Sequence, residues 1–330
     1  MHLIVLTDAA QGHAQAMADG ARPDPQALLV RWSPLMLRLV PGWGLTDTPE
    51  ALNTLAERAR AQLFLGRAMG TNEDGCLPLQ AWSQDGSDAG SAPCARLTPF
   101  HGLVGSDRIT LVPPAELNLS EEESRALFAS VRPLFDSEGV AMQWRSPLNW
   151  DVAHDSLRQL PCASLARAEG DSVQRWQVRT PLGRARLLRR LQNEAQMVLH
   201  EHPVNGQRAE RGELTVNSLW LDHAGCADQL GGGRCAAHHI PVQLTAWAHA
   251  DTALQAWVDA ALRAPVKPHG TGTEPTLVLC GRYQAQSFSM RRLPGGWRGA
   301  IARTIMRPPR TEPLSAWLKT LDHPPIEPDV

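Results

Sequence analysis

Residues 187–225 constrain this chain more than any other stretch, because they contain a helix that must end at a known place. Leu187, Leu188, Leu191, Ala195, Val198 and Leu199 recur at three- and four-residue steps, which predicts an amphipathic helix with Arg189, Arg190, Asn193 and Glu194 off its apolar stripe. Pro203 has no amide hydrogen and disfavours helical backbone in the residue before it, so the helix stops near His202. Gln207 to Arg211 form one further polar turn closed by Gly212. Val216, Leu219, Trp220 and Leu221 then read as a short buried strand ending at Ala224-Gly225.

The order of helix, His202-Pro203-Val204-Asn205, basic turn, Gly212, Asn217 and apolar strand into Ala224-Gly225 resembles the archaeal-type, cofactor-independent phosphoglycerate mutases. The segment Arg190-Leu191-Gln192-Asn193-Glu194-Ala195-Gln196-Met197 is more similar to a bacterial group of regulatory proteins of the RpfE type, distant relatives of those mutases. The likeness is strongest over residues 94–225 and implies an α/β fold of the alkaline phosphatase kind, a sheet covered by helices with an inserted α+β subdomain. The mutase reaction uses two divalent metals held by Asp and His at strand ends. Asp8 is the candidate for the first ligand, with Ala9 where the family has Gly. The family's late Gly-Asp-His is replaced by Cys280-Gly281-Arg282. The resemblance therefore implies a mutase-like frame with a decayed metal centre.

The rest of the chain fits that frame. Leu3-Ile4-Val5-Leu6 reads as a buried parallel strand, central in a sheet that also takes the strands at 216–221 and 276–280. Helices are expected from Pro25, over 48–67 with Thr48 as cap, and over 251–263 with Leu254, Trp257, Val258, Ala261 and Leu262 on one face. Ser120-Glu121-Glu122-Glu123 is a capping box opening a helix whose face carries Leu127, Phe128, Val131, Leu134 and Phe135. The polar, Gly/Ser-rich run at 83–93 marks a boundary. The expected division is 1–93 with 203–330 as the phosphatase-like domain and 94–202 as the insert. Among the prolines of the tail there is room for a short helix at 314–321.

Charge and cysteine content limit the function classes. With 32 basic against 34 acidic residues the net charge is -2, giving no field to gather nucleic acid or an anionic membrane, so neither is expected as a partner. No run of 18 apolar residues occurs, and six scattered cysteines lack a disulfide rhythm, which points to a reducing, cytoplasmic setting. Eleven Trp are spread along the chain rather than clustered, as core and rim residues are.

Candidate site residues fall into two sets. Asn205, Arg208, Arg211 and Asn217 surround the motif and suit a phosphate or acid ligand, since Arg makes bidentate contacts to such groups. Ligand binding is the secondary reading of this stretch; the primary one is a fixed structural joint between the insert and the sheet, in which Asn205 and Asn217 hold turns, with Arg208 at the surface. The second set is metal-ligating: His223, Cys226, Cys235 and His238 carry the ligand types of a closed zinc site, and Asp8 is the ligand candidate that the family resemblance implies. His200 and His202 at the helix end are read as capping or solvent-facing. The reading expects no cofactor, zinc or manganese being the alternatives. It makes the chain a non-catalytic regulatory protein that binds a phosphorylated small molecule or a protein partner. The rival is a metal-dependent phosphomutase or phosphatase with a site rebuilt from Asp8, His249 and Asp251.

Overall fold

The structure, a computed structural model, describes residues 2–6, 39–65, 73–83, 92–177, 184–229, 242–246, 250–263 and 275–290. The helix expected from Pro25, most of the run at 83–93 and the tail helix lie outside the described residues. Along the chain the elements are β1 (His2–Leu6), β2 (Leu39–Thr46), α1 (Leu55–Leu65), α2 (Leu79–Ser83), β3 (Cys94–Val104), β4 (Ile109–Val112), α3 (Glu121–Ser137), β5 (Ala141–Ser146) and β6 (Asn149–Ala153). There follow α4 (Leu165–Ala168), α5 (Val173–Trp176), α6 (Arg184–His200), α7 (Pro203–Glu210), β7 (Ser218–Gly225), β8 (Val242–Ala246), α8 (Ala250–Arg263), β9 (Leu277–Cys280) and β10 (Gln284–Met290). The fold is mixed α/β, in two compact units: Met1–Pro49, Leu55–Ala68 and His239–Val330 form one, Glu50–Thr54 and Met69–His238 the other.

The first unit is built on a sheet of order β2-β10-β9-β1-β8. As expected of its apolar run, β1 is central and parallel to both neighbours, β8 and β9. Alternation along the strands gives each face its own core. Leu3, Val5, Leu277, Leu279 and Phe288 pack with Ala253, Leu254, Trp257 and Ala261 of α8, while Ile4, Val278 and Cys280 pack with Leu55, Ala59 and Leu63 of α1. The helix expected from Thr48 starts only at Leu55. The amides of Leu52 and Asn53 donate instead to the Asp74 carboxylate at 2.8 and 3.2 Å, and Asn53 Oδ1 accepts from Gly75 N–H at 2.7 Å. Residues 50–54 are thereby held in the second unit.

The second unit carries an antiparallel sheet around β3. One edge of β3 pairs with β6 and β4, the other with β7. This corrects two expectations. The strand at 216–221 does not join the first sheet, and the second unit runs past residue 202 to take in α7 and β7. A short apolar run does not distinguish a parallel from an antiparallel neighbour when both faces are covered, and β7 is buried along its whole length. On one face lie Leu97, Leu219, Leu221, Trp150 and Val152 under Leu127, Val131 and Phe135 of α3 and Leu188, Leu191, Ala195 and Leu199 of α6. On the other, Phe100 and Trp220 meet Ala163, Ala168, Val173 and Trp176. The capping box forms as read: Ser120 Oγ accepts from Glu123 N–H and Glu123 Oε2 from Ser120 N–H, both at 3.1 Å.

His2 gives the first unit a pH dependence. It is buried, its Nδ1 accepts from Thr276 N–H at 3.3 Å, and burial pulls its pKa from 6.5 down to about 4. The folded state holds a neutral imidazole down to about pH 4, whereas the unfolded chain takes up the proton near 6.5. Stability from this group is therefore complete above pH 6.5 and is lost as pH falls towards 4, on the order of 3 kcal/mol in all. His2→Asn keeps an acceptor for Thr276 without titrating, so urea unfolding at about pH 4.5 and pH 7.5 should show a smaller pH effect in the variant than in the parent. Equal pH effects would contradict this.

Candidate functional site

The motif residues meet at the joint between α6, α7 and β7. His202 caps α7, its Nδ1 accepting from Val204 N–H at 3.2 Å, and Pro203 takes the first helical position. Asn205 is buried. Its Nδ2 donates to Leu199 O at 2.6 Å and Val216 O at 2.7 Å, and its Oδ1 accepts from Val216 N–H at 2.8 Å, so one amide fastens the end of α6 to the approach of β7. Asn217 does the same for β3: Nδ2 donates to Gly102 O at 3.0 Å and Oδ1 accepts from Gly102 N–H at 2.7 Å. Gly212 adopts φ +73°, the left-handed turn that closes α7.

Arg208, expected at the surface, is 1% exposed. Its Nε donates to Leu214 O at 2.7 Å, one terminal nitrogen to Glu123 Oε2 at 2.7 Å, and the other to Leu117 O. The guanidinium is thus enclosed by three chain segments. Arg211 is exposed and bonds Glu123 Oε1 and Glu213, both at 2.7 Å. Glu123 was legible only as a helix cap; nothing local in the sequence shows that its carboxylate also receives two arginines from 85 and 88 residues away.

The metal-ligating candidates divide differently. His223 and Cys226 lie at the end of β7, while Asp8, Cys235, His238 and His249 lie outside the described residues, as does the side chain of Asp251. His223 has φ +56°, an uncommon left-handed backbone for a side chain of this size. Beside it Asp222, fully buried, accepts from Arg96 at 2.9 and 2.6 Å and from Leu165 N–H at 2.8 Å. A carboxylate inside the apolar run Leu219-Trp220-Leu221 was the signal for this pair, since a buried charge needs a partner. Cys226 Sγ accepts from Arg158 at 3.0 Å, and burial pushes its thiol up to about 11. Burial likewise pushes Cys94 to about 11 and Cys162 to about 12. Among the described residues no group of three or more His, Cys, Asp or Glu is placed to hold a metal ion.

A cavity of about 150 Å³ opens between α6 and β7. Trp176, Trp220 and Phe100 supply its apolar wall, Phe100 edge-on to Trp220 at 6.1 Å between ring centres. Arg189, Gln192, Asn193 and Gln196 line it from α6, so part of the helix off its apolar stripe forms a pocket wall. Gln192 Nε2 donates to Leu219 O at 2.9 Å and Gln196 Nε2 to Ser218 Oγ at 3.0 Å.

No protein-family model matches the chain, and no curated protein matches it. Among solved structures, the cofactor-independent phosphoglycerate mutase of Thermoplasma acidophilum is similar at 14% identity and TM-score 0.36, over 88% of this chain and 89% of that one. The PH0037 protein of Pyrococcus horikoshii is similar at 12% identity and TM-score 0.40, over 88% and 87% of the two chains. Likeness at this level carries no argument about chemistry.

The joint predicts a graded response to substitution. Asn205→Ala orphans the carbonyl and amide of Val216 and removes one of two donors to Leu199 O, and should cost about 1–3 kcal/mol. Arg208→Ala leaves a part-buried carboxylate without its main cation and should cost about 3–5 kcal/mol. Arg211→Ala should unfold close to the parent. Denaturant titration checks the order; an Arg208→Ala protein as stable as the parent would contradict it.

Proposed function

We propose that this chain is a phosphoglycerate-mutase-like protein that binds a ligand in place of turning over phosphoglycerate. The single observation that carries the reading is the end of β9. Where the resemblance calls for Gly-Asp-His, β9 ends in Cys280 and the chain continues as Gly281-Arg282, so Gly281 and Arg282 stand at the two metal-ligand positions. Gly281 N–H then donates to Gln284 O at 2.8 Å, turning the chain straight into β10. Arg282 is exposed with its guanidinium 5.4 Å from the Tyr283 ring. Glycine has no side chain to offer a metal, and a guanidinium cation is the wrong partner for one.

The cavity between α6 and β7 supports the binding half of the proposal, since it combines aromatic walls with convergent polar groups. The likeness of residues 190–197 to the RpfE-type regulatory group belongs to the same reading: Gln192 and Gln196 of that segment form the pocket's polar side. Purified protein supplied with manganese or cobalt should interconvert 2- and 3-phosphoglycerate no faster than a protein-free blank. Metal-dependent turnover that disappears in Asp8→Ala would overturn the reading in favour of a rebuilt phosphomutase site.

A further inference from the structure

The geometry points to a specific ligand class for the cavity between α6 and β7: a single-ring planar heterocycle with an amide edge and an anionic arm, such as a pyrimidine nucleotide or a pyrimidine carboxylate. The Phe100 carbonyl accepts from Asn217 N–H at 3.2 Å, so Phe100 bonds on the β7 side of β3, whereas the backbone of Pro99, which pairs with Leu219, is turned to the other side. The Leu219 carbonyl is taken by Gln192 of α6 at 2.9 Å, so it points away from β3. In extended backbone the N–H and C=O of one residue point to the same side, and those two residues on do likewise. The open edge of β7 therefore turns the N–H of Leu219 and both backbone groups of Leu221 towards the cavity side, an alternation of donors and acceptors that matches the edge of a cyclic amide.

Size and charge narrow the ligand further. A volume of about 150 Å³ suits one six-membered ring, as a cavity of about that size takes up benzene. The indoles of Trp176 and Trp220 make the ring's apolar wall. Gln192 spends one N–H on Leu219 and retains its carbonyl oxygen and second N–H for a ligand. Arg189 sits on the rim, and among the described residues no carboxylate forms an ion pair with it, so the guanidinium is placed to receive an anionic arm.

The inference rests on the binding reading above, and the two fail separately: phosphoglycerate turnover would sink that reading, whereas an indifferent pocket would sink only this one. Isothermal titration of the full chain with UMP, orotate, uridine, AMP and inorganic phosphate tests it. UMP or orotate should bind, the better of the two identifying a phosphate or a carboxylate arm. Uridine should bind at least tenfold more weakly, and AMP and phosphate alone should not compete. Arg189→Ala, an exposed change that leaves the core intact, should weaken binding at least tenfold and remove the preference over uridine. Met197→Ala, exposed on the same helix and outside the cavity lining, should change nothing. Binding of AMP as tight as UMP, UMP binding indifferent to Arg189→Ala, or binding of none of the ring compounds would each overturn the proposal.

Discussion

The second unit depends on one ion pair. The Glu123 carboxylate closes the capping box of α3, receives Arg208 from α7, and receives Arg211 from the same helix's end. Arg208 in turn reaches the carbonyls of Leu117 and Leu214. An unaccompanied guanidinium at 1% exposure would be prohibitively costly, so the segments that surround it must come together as one arrangement. Next to Glu123 in the chain, Ser124, also fully buried, accepts the indole N–H groups of Trp144 at 3.0 Å and Trp150 at 3.1 Å and donates to Pro147 O at 2.8 Å. The first turn of α3 thus joins the helical layer to the sheet and to the motif joint.

That arrangement explains why residues that look like a ligand site in the sequence serve the chain itself. Asn205 and Asn217 each give both ends of an amide to backbone groups, and Arg208 gives three nitrogens to internal acceptors. Holding β7 in place frees its far edge, which α6 then shields with Gln192 and Gln196. Side-chain amides on an otherwise open strand edge prevent edge-to-edge pairing while leaving polar groups within reach of a small molecule.

Local features were legible and distant pairings were not. The capping box at Ser120, the stop at Pro203, the left-handed turn at Gly212 and the central strand at Leu3 each follow from rules acting over a few residues. The helix expected from Thr48 fails because Asp74, more than 20 residues on, captures the amides of Leu52 and Asn53. The sheet that β7 joins is decided by β3, over 100 residues earlier, through contacts that an apolar run does not encode. Arg208 reads as surface because charged residues on short helices usually are; its burial becomes legible only once Glu123 is known to face it.

A double-mutant cycle on Arg208 and Glu123 tests the central claim most directly. Unfolding free energies of the parent, Arg208→Met, Glu123→Gln and the double variant give their coupling without assuming what either residue does alone. A coupling of about 2–4 kcal/mol is expected of a hydrogen-bonded pair in which the guanidinium is buried and the carboxylate part-buried. Coupling within error of zero would mean that the guanidinium and carboxylate do not hold the unit together, and the motif at His202 to Asn217 would have to be explained by a ligand.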